Sequence, residues 1–199
     1  MECGLPYTHL NAATTLKTGR IRGTNQRNEA LHWLRTNFQF KQKRGVVYFA
    51  DDDNTYHPAL FDEVSACESI DHLFPTVCFN QMRNIKRAGT WPVGIIAESD
   101  FEGCITNATD RTKIINFWSN WKPERKFPVD MAAFAVNLDI ILQHPNATFS
   151  DEVIGGLEGW ILERLGFKDA YEMEPKADGC TKVCHVIIYS NLIQFYLTS

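Results

Sequence analysis

A continuously apolar run that ends in three acids is the feature that most limits what this chain can fold into. Residues 45–50, GVVYFA, are followed directly by Asp51, Asp52 and Asp53. Apolar runs without alternation are typical of strands buried on both faces, and such strands belong to α/β sheets that helices cover on each side. Ligands of these sheets bind beyond the carboxyl ends of the strands. The run therefore predicts an α/β fold with parallel strands and three acids at its ligand-binding edge.

Helical and strand patterns on either side of the run agree with this fold class. A helix is predicted over residues 24–38, where apolar side chains recur at helical spacing and Thr24 is the expected N-cap. Further predicted elements are a short helix at 57–64, buried strands at 90–97 and 114–118 (the second at a sheet edge), a loop, strand and helix over 130–143, and a helix at 157–165 with Ile161, Leu162 and Leu165 as its apolar stripe.

Composition and charge exclude several classes of protein. The 199 residues are 44% hydrophobic, enough for the core of one domain, and the net charge of −4 does not favour a nucleic-acid partner. The six cysteines contain no CxxC pair, so a zinc site is not expected, and their pairing stays open. A signal peptide is not recognised, because residues 1–6 have neither a basic nor an apolar region. An anchor is not recognised, because the longest apolar stretch, 186–197, is shorter than the roughly 20 residues that cross a bilayer.

Two Asn-x-Thr tripeptides, at Asn107 and Asn146, permit N-glycosylation if the chain enters a secretory lumen. Such tripeptides are also frequent by chance, so they are weak indicators of that compartment.

The acidic triplet has two chemical interpretations besides a solvated turn. Adjacent carboxylates suit Mg²⁺ or Mn²⁺, and a cation held there can bridge to the diphosphate of a nucleotide sugar. Alternatively, Asp51 is the nucleophile and Asp53 the acid/base of a phosphohydrolase with an Asp-x-Asp-x-Thr motif ending at Thr55. The second interpretation also needs a downstream lysine and acid, for which Lys176 and Asp178 are the candidates.

Five separated blocks favour the transferase. They are RGTNQRNEALHWLR (22–35), GVVYFADDDNTY (45–56), WPVG (91–94), FPVDMAAFAVNL (127–138) and EPKADGCTK (174–182). Together they resemble the β-1,3-glucuronyltransferases, which build the proteoglycan linkage region and related glycans. The resemblance runs, with interruptions, from about Tyr7 to Lys182.

The resemblance implies a fold, a reaction and partners. The fold is of GT-A type, a Rossmann-like mixed sheet flanked by helices. The cofactor is Mn²⁺, the donor UDP-glucuronic acid and the acceptor a terminal galactose, which receives glucuronic acid in β-1,3 linkage with inversion. A lumenal Golgi membrane location and a homodimer are implied as well, and nucleic acid has no role.

The resemblance also assigns roles to residues. Glu158, in GGLEGW, is the expected catalytic base, although Leu157 and Gly159 beside it depart from the family pattern. The expected donor-binding residues are Arg22, Arg27, Asp51 and Asp52, the expected acceptor-binding residues are Glu102, Arg125 and Asp130, and the expected metal ligand is Asp53. Cys180 stands at a family cysteine.

The family pattern is interrupted in three places. The opening β-α-β portion of the family, with its anchor and stem, is expected to be missing before Tyr7. Residues 65–80 are interpreted as an insertion in a partial catalytic domain at 1–182, and 183–199 as a non-family tail that replaces the dimer arm. Ile187 stands where the family has a phosphate-binding histidine, and His185 is not assigned that role.

These interruptions lead to two expectations. The two foreign segments are interpreted as retained introns or gene-model errors, a hypothesis that sequencing of spliced transcripts tests. A weakly active or inactive product, including a non-catalytic binding protein, is the alternative to a working enzyme.

Overall fold

The computed structural model describes residues 7–12, 23–50, 54–56, 82, 84–94, 101–153, 155–181 and 186–188. The helices are α1 (Thr24–Asn37), α2 (Leu138–Gln143), α3 (Leu157–Arg164) and α4 (Ala177–Cys180). The strands are β1 (Val46–Tyr48), β2 (Asn54–Tyr56), β3 (Ala88–Thr90), β4 (Gly103–Thr106), β5 (Ile114–Trp118), β6 (Phe134–Asn137), β7 (Glu174–Pro175) and β8 (Val186–Ile188). The predicted helix at 57–64 lies outside the described residues.

A mixed four-stranded sheet forms the centre of the described structure, in the order β1-β6-β3-β7. β6 is antiparallel to both β1 and β3, and only the β3–β7 pair is parallel. The mixed α/β architecture is confirmed, but the parallel pairing expected for β1 is wrong. A continuous apolar run predicts that a strand is buried on both faces, but it does not determine the direction of the neighbouring strands. β1 is buried in this way although its neighbour β6 is antiparallel.

Burial along the first strand agrees with the sequence. Every residue from Val46 to Ala50 is at most 5% exposed. The aromatic side chains at the end of this run pack into the core, where the Phe49 ring lies 6.0 Å from that of Phe134 in β6. The chain is therefore still buried at Ala50, the residue directly before the acidic triplet.

The other two predicted strands agree with the structure only in part. β5 has the predicted bounds and pairs with β4 in a separate two-stranded antiparallel sheet, but it is not a buried strand, because Ile115 and Trp118 are exposed. β3 covers Ala88–Thr90 and shares only Thr90 with the strand predicted at 90–97. Farther along this predicted strand, Val93 forms an isolated bridge to Glu102.

The first helix begins where the sequence indicated, but its N-cap is Gly23 rather than Thr24. Gly23 has a φ of 83°, a left-handed conformation that glycine adopts without strain. The Thr24 hydroxyl instead donates a 3.3 Å hydrogen bond to the Ser150 carbonyl. The Thr24 side chain, which the local sequence predicted as the helix cap, therefore makes a tertiary contact instead.

The predicted loop, strand and helix over 130–143 are confirmed. Asp130 caps a 3-10 turn at Met131–Ala133 by accepting from the Ala132 amide at 2.8 Å, and β6 and α2 follow. The predicted stripe of α3 is confirmed too, because Ile161, Leu162 and Leu165 are at most 1% exposed. Within the described ranges, no helix combines the length and the apolar character needed to cross a membrane.

Candidate functional site

The acidic triplet lies in the chain between two described strands. Asp51, Asp52 and Asp53 are themselves outside the described residues, as is Arg22. β2 begins at the next residue and pairs antiparallel with β8, so that Thr55 lies opposite Ile187. A strand of the predicted non-family tail thus pairs with the residues that directly follow the triplet.

Phe149 joins three parts of the fold near the end of β1. Its ring contacts that of Phe49 with centroids 5.1 Å apart. Asn28 in α1 holds its backbone at both ends, accepting from the Phe149 amide at 2.8 Å and donating to its carbonyl at 3.0 Å. The guanidinium of Arg27 lies over the same ring, 5.7 Å from its centroid. The predicted donor-side helix is therefore fastened to the loop that leads to Glu158.

Two glycines set the direction of the helix that carries Glu158. Gly155 and Gly156 have φ values of 73° and 81°, and Gly156 is the N-cap of α3. A side chain at Gly155 would place its Cβ 2.7 Å from the ring of Trp121, so the turn also requires glycine for space. Glu158 follows in the first turn of α3, half-buried, beside the buried Leu157.

Arg125 organises the loop that faces this helix. Its Nε donates to the Phe127 carbonyl at 2.9 Å and its Nη2 to the Val129 carbonyl at 3.2 Å. Its Nη1 donates to the Ser119 hydroxyl at 3.0 Å and to the Trp121 carbonyl. Since a guanidinium has five N–H groups, at most one remains for a substrate hydroxyl.

The charges around Arg125 show which predicted residues come together. Burial lowers the pKa of Arg125, whereas four carboxylates act to raise it, those of Glu158, Glu102, Asp130 and the neighbouring Glu124. Three of these acids are predicted site residues, and their charges act on one guanidinium. The structure thus brings together the predicted base and the three predicted acceptor residues, which lie as far apart in sequence as residues 102 and 158.

Glu102 takes a more enclosed position than an acceptor-binding residue was expected to have. It is 3% exposed. Its Oε1 accepts from the Asn120 amide at 2.8 Å and its Oε2 from the Ser119 hydroxyl at 3.1 Å. Ser119 joins Glu102 to Arg125, so the visible contacts of Glu102 hold the loop over residues 119–125. Its contact with an acceptor stays a prediction.

Comparison with known proteins places the chain in a family. The sequence profile of Glycosyltransferase family 43 matches residues 1–73 and 68–189. The chain belongs to Glycosyltransferase family 43.

Named relatives agree with this membership. The chain is 42% identical over 189 residues to the galactosylgalactosylxylosylprotein 3-beta-glucuronosyltransferase sqv-8 of Caenorhabditis elegans, covering 90% of this chain and 47% of that protein. It is 36% identical over 188 residues to human galactosylgalactosylxylosylprotein 3-beta-glucuronosyltransferase 2, covering 92% of this chain and 51% of that protein. For galactosylgalactosylxylosylprotein 3-beta-glucuronosyltransferase I of Drosophila melanogaster the identity is 39% over 163 residues, 81% of this chain and 47% of that protein.

The chain spans about half the length of these curated relatives. Its mixed sheet with flanking helices is consistent with a GT-A-like family 43 fold, as predicted.

Family membership does not support the phosphohydrolase alternative, and neither do the contacts of its candidate residues. Lys176 pairs with Glu174 at 2.9 Å, and Asp178 pairs with Arg111 at 2.9 Å. Both side chains thus take part in local ion pairs at the turn after β7.

Trp121 is a candidate site residue that the sequence did not indicate. Its ring is 42% exposed, packs against Gly155 and lies 4.8 Å from the guanidinium carbon of Arg125. An exposed ring at this place offers an apolar face beside polar groups, which suits the mixed surface of a sugar. The available signal was a tryptophan among polar residues, SNWK, just before Arg125.

A disulfide, whose pairing the sequence left open, joins the β4–β5 hairpin to α4. Cys104, two residues after Glu102, is bonded to Cys180 at the end of α4, with Cα atoms 5.6 Å apart. α4 is a left-handed turn, since all four of its residues have φ between 54° and 66°. The Thr106 hydroxyl holds the turn from β4 by donating to the Gly179 carbonyl at 2.6 Å.

The predicted Mn²⁺ site lies outside the described residues. Among the residues that are described, no group of three or more His, Cys, Asp or Glu side chains could hold a metal ion. The metal role of Asp53 therefore stays a prediction.

Proposed function

We propose that this protein transfers glucuronic acid from UDP-glucuronic acid to a terminal galactose, in β-1,3 linkage and with inversion. The products would be the linkage region of proteoglycans or a glycoprotein glycan. Family membership and the names of the relatives support the reaction class. The observation that carries the proposal is the convergence of Glu158, Glu102 and Asp130 on Arg125.

Glu158 is the proposed general base. Glu158 lies in the first turn of α3, next to the buried Leu157, and its charge acts on Arg125. It would remove the proton of the acceptor hydroxyl, and that oxygen would attack the anomeric carbon from the face opposite the diphosphate. A single displacement of this kind inverts the configuration and turns an α-linked donor into a β-linked product.

The acceptor side is proposed to combine an aromatic ring, two polar groups that bond the sugar and one carboxylate that holds the loop. Trp121 would carry the apolar face of the galactose, and Asp130 and the remaining N–H group of Arg125 would bond its hydroxyls. Glu102 would act mainly by holding residues 119 and 120, to which both of its carboxylate oxygens are bonded. An acceptor bound in this way presents one hydroxyl to Glu158.

The proposed donor-binding residues come from the sequence resemblance and from the structure next to them in the chain. Asp51 and Asp52 would contact the uridine and ribose, Arg22 and Arg27 the charged groups of the donor, and Asp53 would bind Mn²⁺. Three adjacent carboxylates after a buried strand are a suitable set of oxygen donors for this cation. When bound, Mn²⁺ supplies positive charge that stabilises the departing diphosphate.

The proposed compartment is the Golgi lumen, with the protein held at its membrane. The Cys104–Cys180 disulfide agrees with this, because such bonds persist in oxidising compartments and are rare in the cytosol. A homodimer, which the resemblance implies, stays a prediction.

The test is a transfer assay with UDP-glucuronic acid and a galactose-ended disaccharide, with Mn²⁺ and with a chelator instead. This chain should be compared with one that carries the amino-terminal portion of a family 43 relative. We expect a β-1,3-glucuronylated product that depends on Mn²⁺, at a higher rate in the extended protein. Absence of product from both proteins, with UDP binding retained in calorimetry, would contradict the proposed reaction.

A further inference from the structure

We propose that Asn107 is an N-glycosylation site and that Asn146, the second asparagine with the same tripeptide pattern, is not. Asn107-Ala108-Thr109 lies at the tip of the β4–β5 hairpin, where every residue from 107 to 113 is exposed. The proposal does not depend on the transferase reaction. It requires only that the chain passes through a secretory lumen.

The side-chain oxygen of Asn107 makes hydrogen bonds that a glycan on the side-chain nitrogen would not disturb. Its Oδ1 accepts from the Thr109 amide at 2.9 Å and from the Thr109 hydroxyl at 2.8 Å. The amide N–H can only donate, which assigns this atom as the oxygen and the other as Nδ2. Nδ2 makes no hydrogen bond to the described residues, so the atom that would carry the sugar can be substituted without loss of a contact.

The modification balances as a transfer from an activated oligosaccharide. The co-reactant is an oligosaccharide linked to a lipid diphosphate, which the secretory lumen supplies. Nδ2 of Asn107 loses one proton and forms a bond to the anomeric carbon. The bond between that carbon and the diphosphate oxygen breaks, and the lipid diphosphate leaves with the bonding electrons.

Asn146 has a different setting in spite of the same pattern. Arg35 Nη2 donates to the carbonyls of His144 and Ala147, at 2.9 and 2.7 Å, and Trp160 Nε1 donates to the Thr148 carbonyl at 3.1 Å. Asn146 and Thr148 are themselves exposed, but Ala147 between them is 2% exposed, so the backbone of this tripeptide is packed. Once α1 and α3 have packed, this backbone is held between them, whereas a hairpin tip stays accessible before and after folding.

The experiment expresses the chain behind a cleavable signal peptide in animal cells and compares its mobility before and after enzymatic removal of N-glycans. We expect one glycan on the parent and on Asn146→Gln, and none on Asn107→Gln or Thr109→Ala. The last variant keeps the asparagine, so agreement between it and Asn107→Gln excludes an effect of the glutamine. Glycopeptide mass spectrometry gives the occupied position directly. A parent without a glycan, or a glycan found at Asn146, would overturn the proposal.

Discussion

The Cys104–Cys180 disulfide should contribute much of the stability that holds the β4–β5 hairpin to the rest of the fold. The bond closes a loop with a sequence separation of 76 residues. For a loop of this size the chain-entropy relation gives about 4.5 kcal/mol of stabilisation at 25 °C, with the unfolded state losing freedom. The bond also holds the left-handed turn α4, in which Ala177, Asp178 and Cys180 have φ of 54°, 57° and 64°.

Relaxation of that turn should offset part of the loss. A left-handed residue other than glycine costs roughly 1–2 kcal/mol, and a released turn can recover some of this strain. We therefore expect Cys104→Ser to lower the free energy of unfolding by about 3 kcal/mol. In a chain of this size that corresponds to a fall in melting temperature of roughly 6–12 °C.

Urea unfolding followed by tryptophan fluorescence measures this loss. Parent, Cys104→Ser and the double variant with Cys180→Ser should be compared with and without dithiothreitol. The reductant should bring the parent to the stability of the variants and leave the variants unchanged, and the double variant should match the single one. A difference below about 0.5 kcal/mol between parent and variant would refute the entropic argument. If dithiothreitol lowered the stability of the variants further, a second disulfide would be contributing to the stability of the fold.

Three substitutions test the loop and the turn around the proposed base. Arg125→Lys should lower the transfer rate at least about tenfold, because a lysine ammonium cannot make the four hydrogen bonds of the guanidinium. Steady-state kinetics measure this loss, and circular dichroism shows whether the variant is still folded. Trp121→Ala should raise KM for the galactose acceptor and leave KM for UDP-glucuronic acid unchanged, and equal changes in both would argue against a stacking role. Gly155→Ala should cost roughly 1–3 kcal/mol in a thermal melt, because of its positive φ and the nearby tryptophan ring, whereas Gly159→Ala, with 3.3 Å to Phe127, should cost much less.

The sequence predicted burial well and pairing less well. The apolar residues of β1 are enclosed as expected, because burial depends on side-chain chemistry that the sequence states directly. The direction of the neighbouring strand depends on how β6 returns to the sheet, and no residue of β1 encodes this. Thr24 shows the same limit at a smaller scale, since Ser150, far along the chain, takes its hydroxyl.

The site was predictable as a set of residues and not as an arrangement. The resemblance assigned Glu158, Arg125 and Asp130 together, and the structure brings them within electrostatic reach. The sequence could not predict the burial of Glu102 or the position of Trp121. Both follow from the way the loop over residues 118–121 folds back on Arg125 and Gly155. The cysteine pairing likewise depends on where α4 meets β4.

The most direct test of the account compares two glutamates on the same helix. Glu158 is half-buried and its charge acts on Arg125, whereas Glu163 is exposed and pairs with Lys126 at 2.8 Å. In the transfer assay, with the extended protein if this chain alone is slow, Glu158→Gln should lower kcat by roughly 10²–10⁴-fold without weakening UDP binding. Glu163→Gln should stay within about twofold of the parent, as expected for an exposed ion pair. A Glu158→Gln variant as active as Glu163→Gln would contradict the assignment of the base.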